Sequence, residues 1–337
     1  MSRFIAALLI VVSGVAALVF AWPQLFGLAW TPVVAQVVAM RGLGAAVALV
    51  LALVLTVIAL LALGIRRFVA SLAVIALAFA ALNVIVLATR GFGNVSFQTE
   101  GDGDITVLSW NTLGDEPGAS TIAEFALEND VDVLTLPETT NELGLEIAAL
   151  MKDAGRPMWV YTLAYDQVSK ARSTTLLISA ELGEYSVDTE SRTTAVLPSV
   201  IAKPVDGSGP TFVAVHTVAP LPPMEPFWQK DLRWAADLCA EGDDIIMAGD
   251  FNATLDHFAG MPRSDGGDLG ACADAALATD NAAVGTWPTR LPALLGSPID
   301  HVLASSQWTV TGMRVVESLD DAGSDHRPIL VQLSPSE

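Results

Sequence analysis

Residues 1–90 contain no aspartate and no glutamate, and their only basic residues are Arg3, Arg41, Arg66, Arg67 and Arg90. Such a charge-poor stretch, in a chain that is 52% hydrophobic with mean hydropathy +0.51, excludes a purely soluble protein. The chain holds no cysteine cluster and no HExxH spacing, so nothing points to a zinc peptidase, and it holds no GxxxxGK[ST], so nothing points to a P-loop nucleotide site. Its two cysteines, Cys239 and Cys272, are compatible with one disulfide in an oxidising compartment and equally with two partly buried thiols. Basic residues are scarce where a nucleic-acid face would need them. Beyond Arg90 the chain carries 12 basic and 37 acidic residues, a net −25. That balance disfavours long duplex nucleic acid, although a local patch around Lys170, Arg172 or Arg290 would still admit a small phosphate.

What the first part does contain is three uncharged apolar runs, at about 4–22, 42–64 and 68–89. Each approaches the roughly 20 residues that a helix needs to cross the hydrocarbon core of a bilayer. A cleavable signal peptide would account for the first run only. A soluble helical hairpin would need a polar face, which 42–64 lacks. Residues 1–90 are therefore expected to form a membrane anchor of three transmembrane helices. Arg3, Arg66 and Arg67 fall on one side of it and Arg41 and Arg90 on the other. The positive-inside rule then favours a cytoplasmic N-terminus and, after three crossings, an extracytoplasmic C-terminal domain.

Residues 91–103 are rich in Gly and polar residues and read as a linker. From 104 to 337 the pattern changes to short β-type runs at 105–111, 131–138, 174–179, 211–217, 244–251, 299–305 and 328–333. Helix-like stretches lie between some of them. In "STIAEFALEND", Ser120 or Thr121 is a candidate N-cap, with Glu124 placed for a capping box from Thr121. "ETTNELGLEIAALMKDAG" and "PMEPFWQKDLRWAADLCAEG" repeat the theme. Strands mixed with helices in this order predict an α/β layered sandwich.

The polar residues of interest fall at strand ends: Asn111, Glu138, His216, Asp250 and Asn252, Asp300 and His301, Asp325 and His326. Any one of them has an ordinary explanation as a turn former, a helix first-turn acid or a buried histidine. Six apolar strands ending this way indicate one cleft along the edge of a sheet. The residue types suit one task. Carboxylate and amide oxygens bind Mg²⁺ or a similar hard ion, and imidazoles paired with carboxylates move protons near neutral pH. Metal-assisted phosphoester hydrolysis is the chemistry that remains.

The ordered set "SWN", "LPE", "VAVH", "GDFN", "SPIDHVL" and "SDHRP" resembles the endonuclease/exonuclease/phosphatase superfamily, over about residues 104–334. With three preceding apolar runs the layout resembles its bacterial membrane-anchored branch, which includes proteins linked to glycopeptide resistance. The resemblance implies a DNase I-like four-layer αββα sandwich and a Mg²⁺- or Mn²⁺-dependent phosphoesterase. It implies Glu138 as main metal ligand, with Asn111 and Asp325 beside it, and His326 as the proton-transfer histidine oriented by Asp300. Asp250 and Asn252 would position nucleophile and phosphate, with Asp250 an alternative base, and His216 would donate to the phosphoryl oxygens.

Departures from the family pattern are visible. "STTLLISA" lacks the arginine that many members carry after the strand, which puts a phosphate-contacting role there in doubt, and Pro137 stands where an amide is more frequent. His301 reads as a supporting residue, His257 as a loop or rim residue and Trp287 as part of a packed loop. Arg327 reads equally as a salt-bridge or a substrate residue. A phosphorylated small molecule or lipid is the expected substrate, since a tether raises the local concentration of lipid head groups. An extracytoplasmic nuclease and a non-catalytic resistance or binding module are the alternatives.

Overall fold

The structure, a computed structural model, describes residues 3–166, 168–189, 193–239, 244–261 and 267–336. The apolar runs become α1 (Arg3–Ala21), α3 (Arg41–Leu61) and α4 (Arg66–Arg90), with a short α2 (Val34–Ala39) between the first two. The three long helices have the length and hydropathy to cross a membrane. They face outward with large apolar side chains such as Val50, Leu53, Leu60 and Ile85, while small residues such as Ala45, Ala48, Ala73 and Ala80 are buried. Small residues let helix backbones approach closely where lipid offers no hydrophobic drive for association.

The remaining chain supplies α5 (Gly118–Glu128), α6 (Asn141–Asp153), α7 (Glu225–Leu238), α8 (Leu255–Phe258) and α9 (Ala275–Ala278). Its strands are β1 (Ile105–Ser109), β2 (Val133–Pro137), β3 (Met158–Ala164), β4 (Ser173–Ser179), β5 (Tyr185–Val187) and β6 (Val200–Pro204). They continue as β7 (Thr211–His216), β8 (Ile245–Asp250), β9 (Ala273–Asp274), β10 (Asp300–Ala304), β11 (Trp308–Val315) and β12 (Ile329–Pro335). Two six-stranded mixed sheets result, ordered β11-β12-β1-β2-β4-β3 and β5-β6-β7-β8-β10-β9. The expected layered sandwich is therefore present.

Side-chain alternation explains the layers. Ile105, Val107, Val133, Leu176 and Ile178 turn into the core shared with the second sheet, whereas Leu108, Leu134, Leu136 and Leu177 turn outward onto Ile122 and Ala126 of α5 and Ile147 and Met151 of α6. Strands covered on both faces read as near-continuous apolar runs, which is why these were easy to find. Edge and peripheral strands β3, β5, β6, β9 and β11 were not. β3 exposes Trp159 and Ala164 and shows no continuous apolar signal.

Several local expectations are corrected. α5 begins at Gly118 with Pro117 at its N-cap position and no side-chain cap, so the Thr121 and Glu124 capping box does not start the helix. Gly114, Asp115 and Gly118, all at positive φ, shape the turn before it. α6 is capped as a helix should be: the Thr140 side chain accepts from Leu143 N. α7 covers Glu225–Leu238 of its predicted stretch, whose end at 240–242 lies outside the described residues. Cys239 and Cys272 are joined as a disulfide, with Cα atoms 5.7 Å apart.

The stretch at 91–103 is less detached than a free linker. Gly93 N donates to Asp280 O and Phe97 bridges Gly312, so this stretch runs along the domain surface. Gly91 is required there, since its φ of +80° is left-handed and a Cβ would come within 2.1 Å of Asp280 O.

Candidate active site

The site gathers where strands of both sheets end. β7 runs parallel to β8 with His216 level with Asp250, and β10 runs antiparallel to β8 with Asp300 level with Asp250. Pairing register alone thus aligns three of the predicted residues. Asn111 follows β1, Glu138 follows β2, and the segment holding Asp325 and His326 precedes β12.

Asn111 links the halves. Its Nδ2 donates to Glu138 Oε1 at 3.2 Å and to Asp250 Oδ2 at 3.1 Å. Asn252 folds back on Asp250, donating from its backbone N to Oδ1 at 2.8 Å and from Nδ2 to Oδ2 at 3.2 Å, and Nδ2 also donates to Thr217 O. His326 Nδ1 sits 2.9 Å from Asp300 Oδ2. Its Nε2 therefore faces the cleft, 3.8 Å from Asp250 Oδ2 and 4.0 Å from Asp325 Oδ1. His216 Nε2 lies 3.9 Å from Glu138 Oε1. All eight predicted residues meet in one place.

Two of them hold strained backbones. Glu138 has φ 58° and Asn252 φ 45°, left-handed values that cost non-glycine residues free energy and gather at functional sites. The Glu138 turn is pinned from outside: Thr112 Oγ1 donates to Glu138 O, and Asp115 accepts from both the backbone N and Oγ1 of Thr140. Ser324 Oγ donates to Asn111 O and accepts from His326 N, while Trp110 Nε1 donates to His326 O.

Electrostatics separate the two cleft histidines. Burial opposes protonation of His326, but Asp300 and Asp250 overcome it and hold the imidazole far above its ordinary value. His216 is pushed down to about 3 by burial and by the neighbouring His326, which favours the neutral imidazole. Burial also raises Asp250, and it raises Glu138 against the Asn111 hydrogen bond.

The donor set fits a hard divalent ion. The oxygens of Glu138, Asn111, Asp250 and Asp325 meet around one cleft, and carboxylate and amide oxygens are hard donors. Asp250, Asp300 and His326 offer ligand atoms within 4.8 Å of one another. His326 Nδ1 is nonetheless committed to Asp300, whereas Glu138 has only the Asn111 amide on its Oε1, so the Glu138, Asn111 and Asp325 side is better suited to an ion.

Some supporting residues take roles that sequence reasoning did not give them. Trp287 is more than loop packing: its Nε1 donates to Asp325 Oδ2 at 2.8 Å. Arg327 is a structural residue, buried, ion-paired to Asp320 at 2.6 Å and donating to the carbonyls of Gly285, Thr289 and Leu291. His301 points away from the cleft onto Asp274 Oδ2 and Ala253 O, the expected supporting role. His257 is neither loop nor rim. It is buried in α8, where Nδ1 accepts from Thr254 N, so the protonated Nε2 donates to Ala35 O of α2. In "STTLLIS", Thr174 and Thr175 are buried and donate to the carbonyls of Pro198 and Thr139, away from any phosphate role. Lys170 and Arg172 are ion-paired to Asp115 and Asp166.

A cavity of about 520 Å³ opens from the catalytic cluster. Glu138, His216, Asp250, Asn252, Asp325 and His326 line it together with Leu113, Leu197, Val218, Pro220, Leu221 and Met40.

A model of the Endonuclease/Exonuclease/phosphatase family matches residues 108–326. Among solved structures, a humanised D. rerio TDP2 is similar at 19% identity and TM-score 0.51, covering 68% of this chain and 99% of its own. An endonuclease/exonuclease/phosphatase from Beutenbergia cavernae is similar at 18% identity and TM-score 0.50, covering 69% of this chain and 72% of its own. At these identities the likeness concerns the fold. Comparison with curated proteins finds no match.

Proposed function

This chain belongs to the endonuclease/exonuclease/phosphatase family, and from that premise we propose that it is a membrane-anchored, divalent-metal-dependent phosphoesterase acting on lipid-linked phosphate esters or pyrophosphates outside the cytoplasm. The observation that carries the reading is one cavity lined both by an acid, amide and imidazole cluster and by apolar side chains. A phosphate would sit against the polar cluster and a hydrocarbon chain along the apolar side chains.

Glu138, Asn111 and Asp325 would hold the ion. When bound, it supplies Lewis-acid stabilisation of charge on the phosphoryl oxygens. His326, fixed at Nδ1 by Asp300 and held protonated, would give its Nε2 proton to the leaving oxygen, while Asp250 would take the proton of the attacking water. Neutral His216 donates a hydrogen bond to a phosphoryl oxygen as charge builds there. Asp250 and Asn252 orient water and phosphate. As the new bond from water oxygen to phosphorus forms, the bond to the leaving oxygen breaks.

Two observations support the extracytoplasmic face. The Cys239–Cys272 disulfide suits an oxidising compartment. Arg3, Arg66 and Arg67 line one cavity at the end of the bundle away from the domain, while Arg41 and Arg90 at the domain end are ion-paired to Asp256. A nuclease reading is less well supported, because Lys170 and Arg172 are engaged by acidic neighbours.

The test is hydrolysis of bis(p-nitrophenyl) phosphate and of a polyprenyl or phospholipid phosphate by the full chain in nanodiscs, with and without chelator. Metal-dependent hydrolysis, strongest for the lipid, is expected. Equal activity after chelation, or no activity on any ester, would overturn the proposal.

A further inference from the structure

The catalytic domain does not enclose its cavity alone. Gln36, Ala39 and Met40 line it from the N-terminal bundle, together with Val218, Pro220 and Leu221 of the domain. These three residues precede α3, which begins at Arg41, so this wall lies beside the first turn of an apolar helix.

A network of contacts holds the wall in place. Arg41 makes a two-bond contact with Asp256, through Nε to Oδ2 at 2.8 Å and Nη2 to Oδ1 at 2.7 Å, and Arg90 adds a third bond to Oδ2. His257, next in the chain, donates to Ala35 O and its own carbonyl accepts from Trp30 Nε1 at 2.8 Å. Gln36 Nε2 donates to Pro220 O, which ties the wall to the domain. Gly42 packs so tightly that a Cβ would lie 1.9 Å from Leu294 O. Val33, a β-branched residue at φ 70°, carries the strain of placing the segment. A tether alone would need none of this.

Resting on the phosphoesterase reading above, we propose that segment 36–40 of the bundle is the substrate-selecting wall of the active site, with Met40 and Ala39 contacting the hydrocarbon chain of a phosphate ester. Met40 is a flexible apolar side chain suited to such a contact. Gln36 positions the wall through Pro220.

The test compares binding of methylphosphonic and hexylphosphonic acid to the full chain in lipid nanodiscs with Mg²⁺, by calorimetry. Five added methylenes in an apolar groove should make hexylphosphonic acid bind at least about tenfold more tightly to the wild type. Met40→Asp should reduce that ratio to about threefold or less, and Met40→Leu should retain it. Should Met40→Asp fail to fold, Ala39→Phe, which fills the groove without adding charge, should reduce the ratio likewise. A wild type without chain-length preference overturns the proposal, and so does a preference that survives Met40→Asp or Ala39→Phe. Hydrolysis of bis(p-nitrophenyl) phosphate by the same wild-type preparation separates the two levels. Hydrolysis with an unaltered ratio in the variants removes this proposal alone, whereas a wild type that hydrolyses no phosphoester removes the phosphoesterase reading and this proposal with it.

Discussion

Arg41 at the start of α3 and Asp256 in α8 lie 2.7 Å apart, both buried, although 215 residues separate them in the chain. Burial works against a charged Asp256, but the hydrogen bonds from Arg41 and the charges of Arg90 and Arg41 hold its carboxyl well below the usual range. Arg41 also donates to Asn83 Oδ1 and Ala21 O, so one guanidinium ties all three long helices to the domain.

Removing the carboxylate should therefore loosen the whole junction. Asp256→Ala leaves Arg41 buried without its counter-charge, a change that typically costs about 3–5 kcal/mol. Thermal unfolding and limited proteolysis of the full chain in nanodiscs would show a lower transition and new cleavage near residues 22–40. A double replacement, Arg41→Met with Asp256→Leu, should recover part of the loss because neither charge is then stranded. Equal stability of Asp256→Ala and wild type would show that the network contributes nothing.

Gly42→Ala should act at the same junction by a different cause. Its Cβ would meet the Leu294 carbonyl at 1.9 Å, so α3 or the loop must move. An overpacked contact costs about 1–3 kcal/mol. The measured change should be a lower unfolding transition, and an unshifted one would contradict the close approach.

Asp300→Asn keeps the shape around His326 but replaces the carboxylate that fixes its Nδ1. General acid–base assistance contributes about 10²–10⁴-fold, so kcat should fall within that range while KM changes little. Steady-state kinetics on a chromogenic diester would check this, and a fall in KM alone would speak against the assigned orientation.

Trp287→Phe deletes the indole N–H that fixes Asp325 Oδ2. Hydrogen-bond partners of metal ligands typically affect metal affinity by about 10–100-fold. The Mg²⁺ concentration at half-maximal activity should rise by about tenfold or more, with activity largely recovered at saturating ion. An unchanged Mg²⁺ titration would return Trp287 to a packing role.

Asp231 in α7 gives a pH signature outside the active site. Burial pushes its carboxyl up to about 6, against the hydrogen bond from Ala195 N. The folded state thus keeps a proton that the unfolded state releases near pH 4. Stability contributed by this group is present below about pH 4, declines as pH rises to about 6 and then stays low, a change of at most about 3 kcal/mol. Unfolding transitions measured from pH 4 to 7 should show this decline in the wild type and not in Asp231→Asn. Parallel profiles for the two proteins would refute it.

The residues of the candidate site are legible because each lies at or next to one end of a strand buried on both faces. An apolar run closing in Asn111, Glu138 or Asp250 is unusual at every position, and β7, β8 and β10 then align His216, Asp250 and Asp300 by register. Trp287, His257 and the edge strands were illegible for the opposite reason. A tryptophan in a loop, or a histidine after "TLD", carries no periodic signal, and its partner lies far away in sequence: 38 residues for Trp287 and Asp325, 222 for His257 and Ala35.

The sequence by itself determined a helical part free of acidic residues, an acidic α/β part and the residue types of the cleft, because hydrophobic periodicity and residue type are local properties. Only the tertiary structure decided that the two parts share a cavity. Arg41 and Arg90 look in the sequence like flanking charges of apolar helices. Folding brings both onto one buried carboxylate and sets Met40 on the cavity that Glu138, Asp250 and His326 also line, since an ion pair and a cavity wall depend on distances in space that no spacing along the chain encodes.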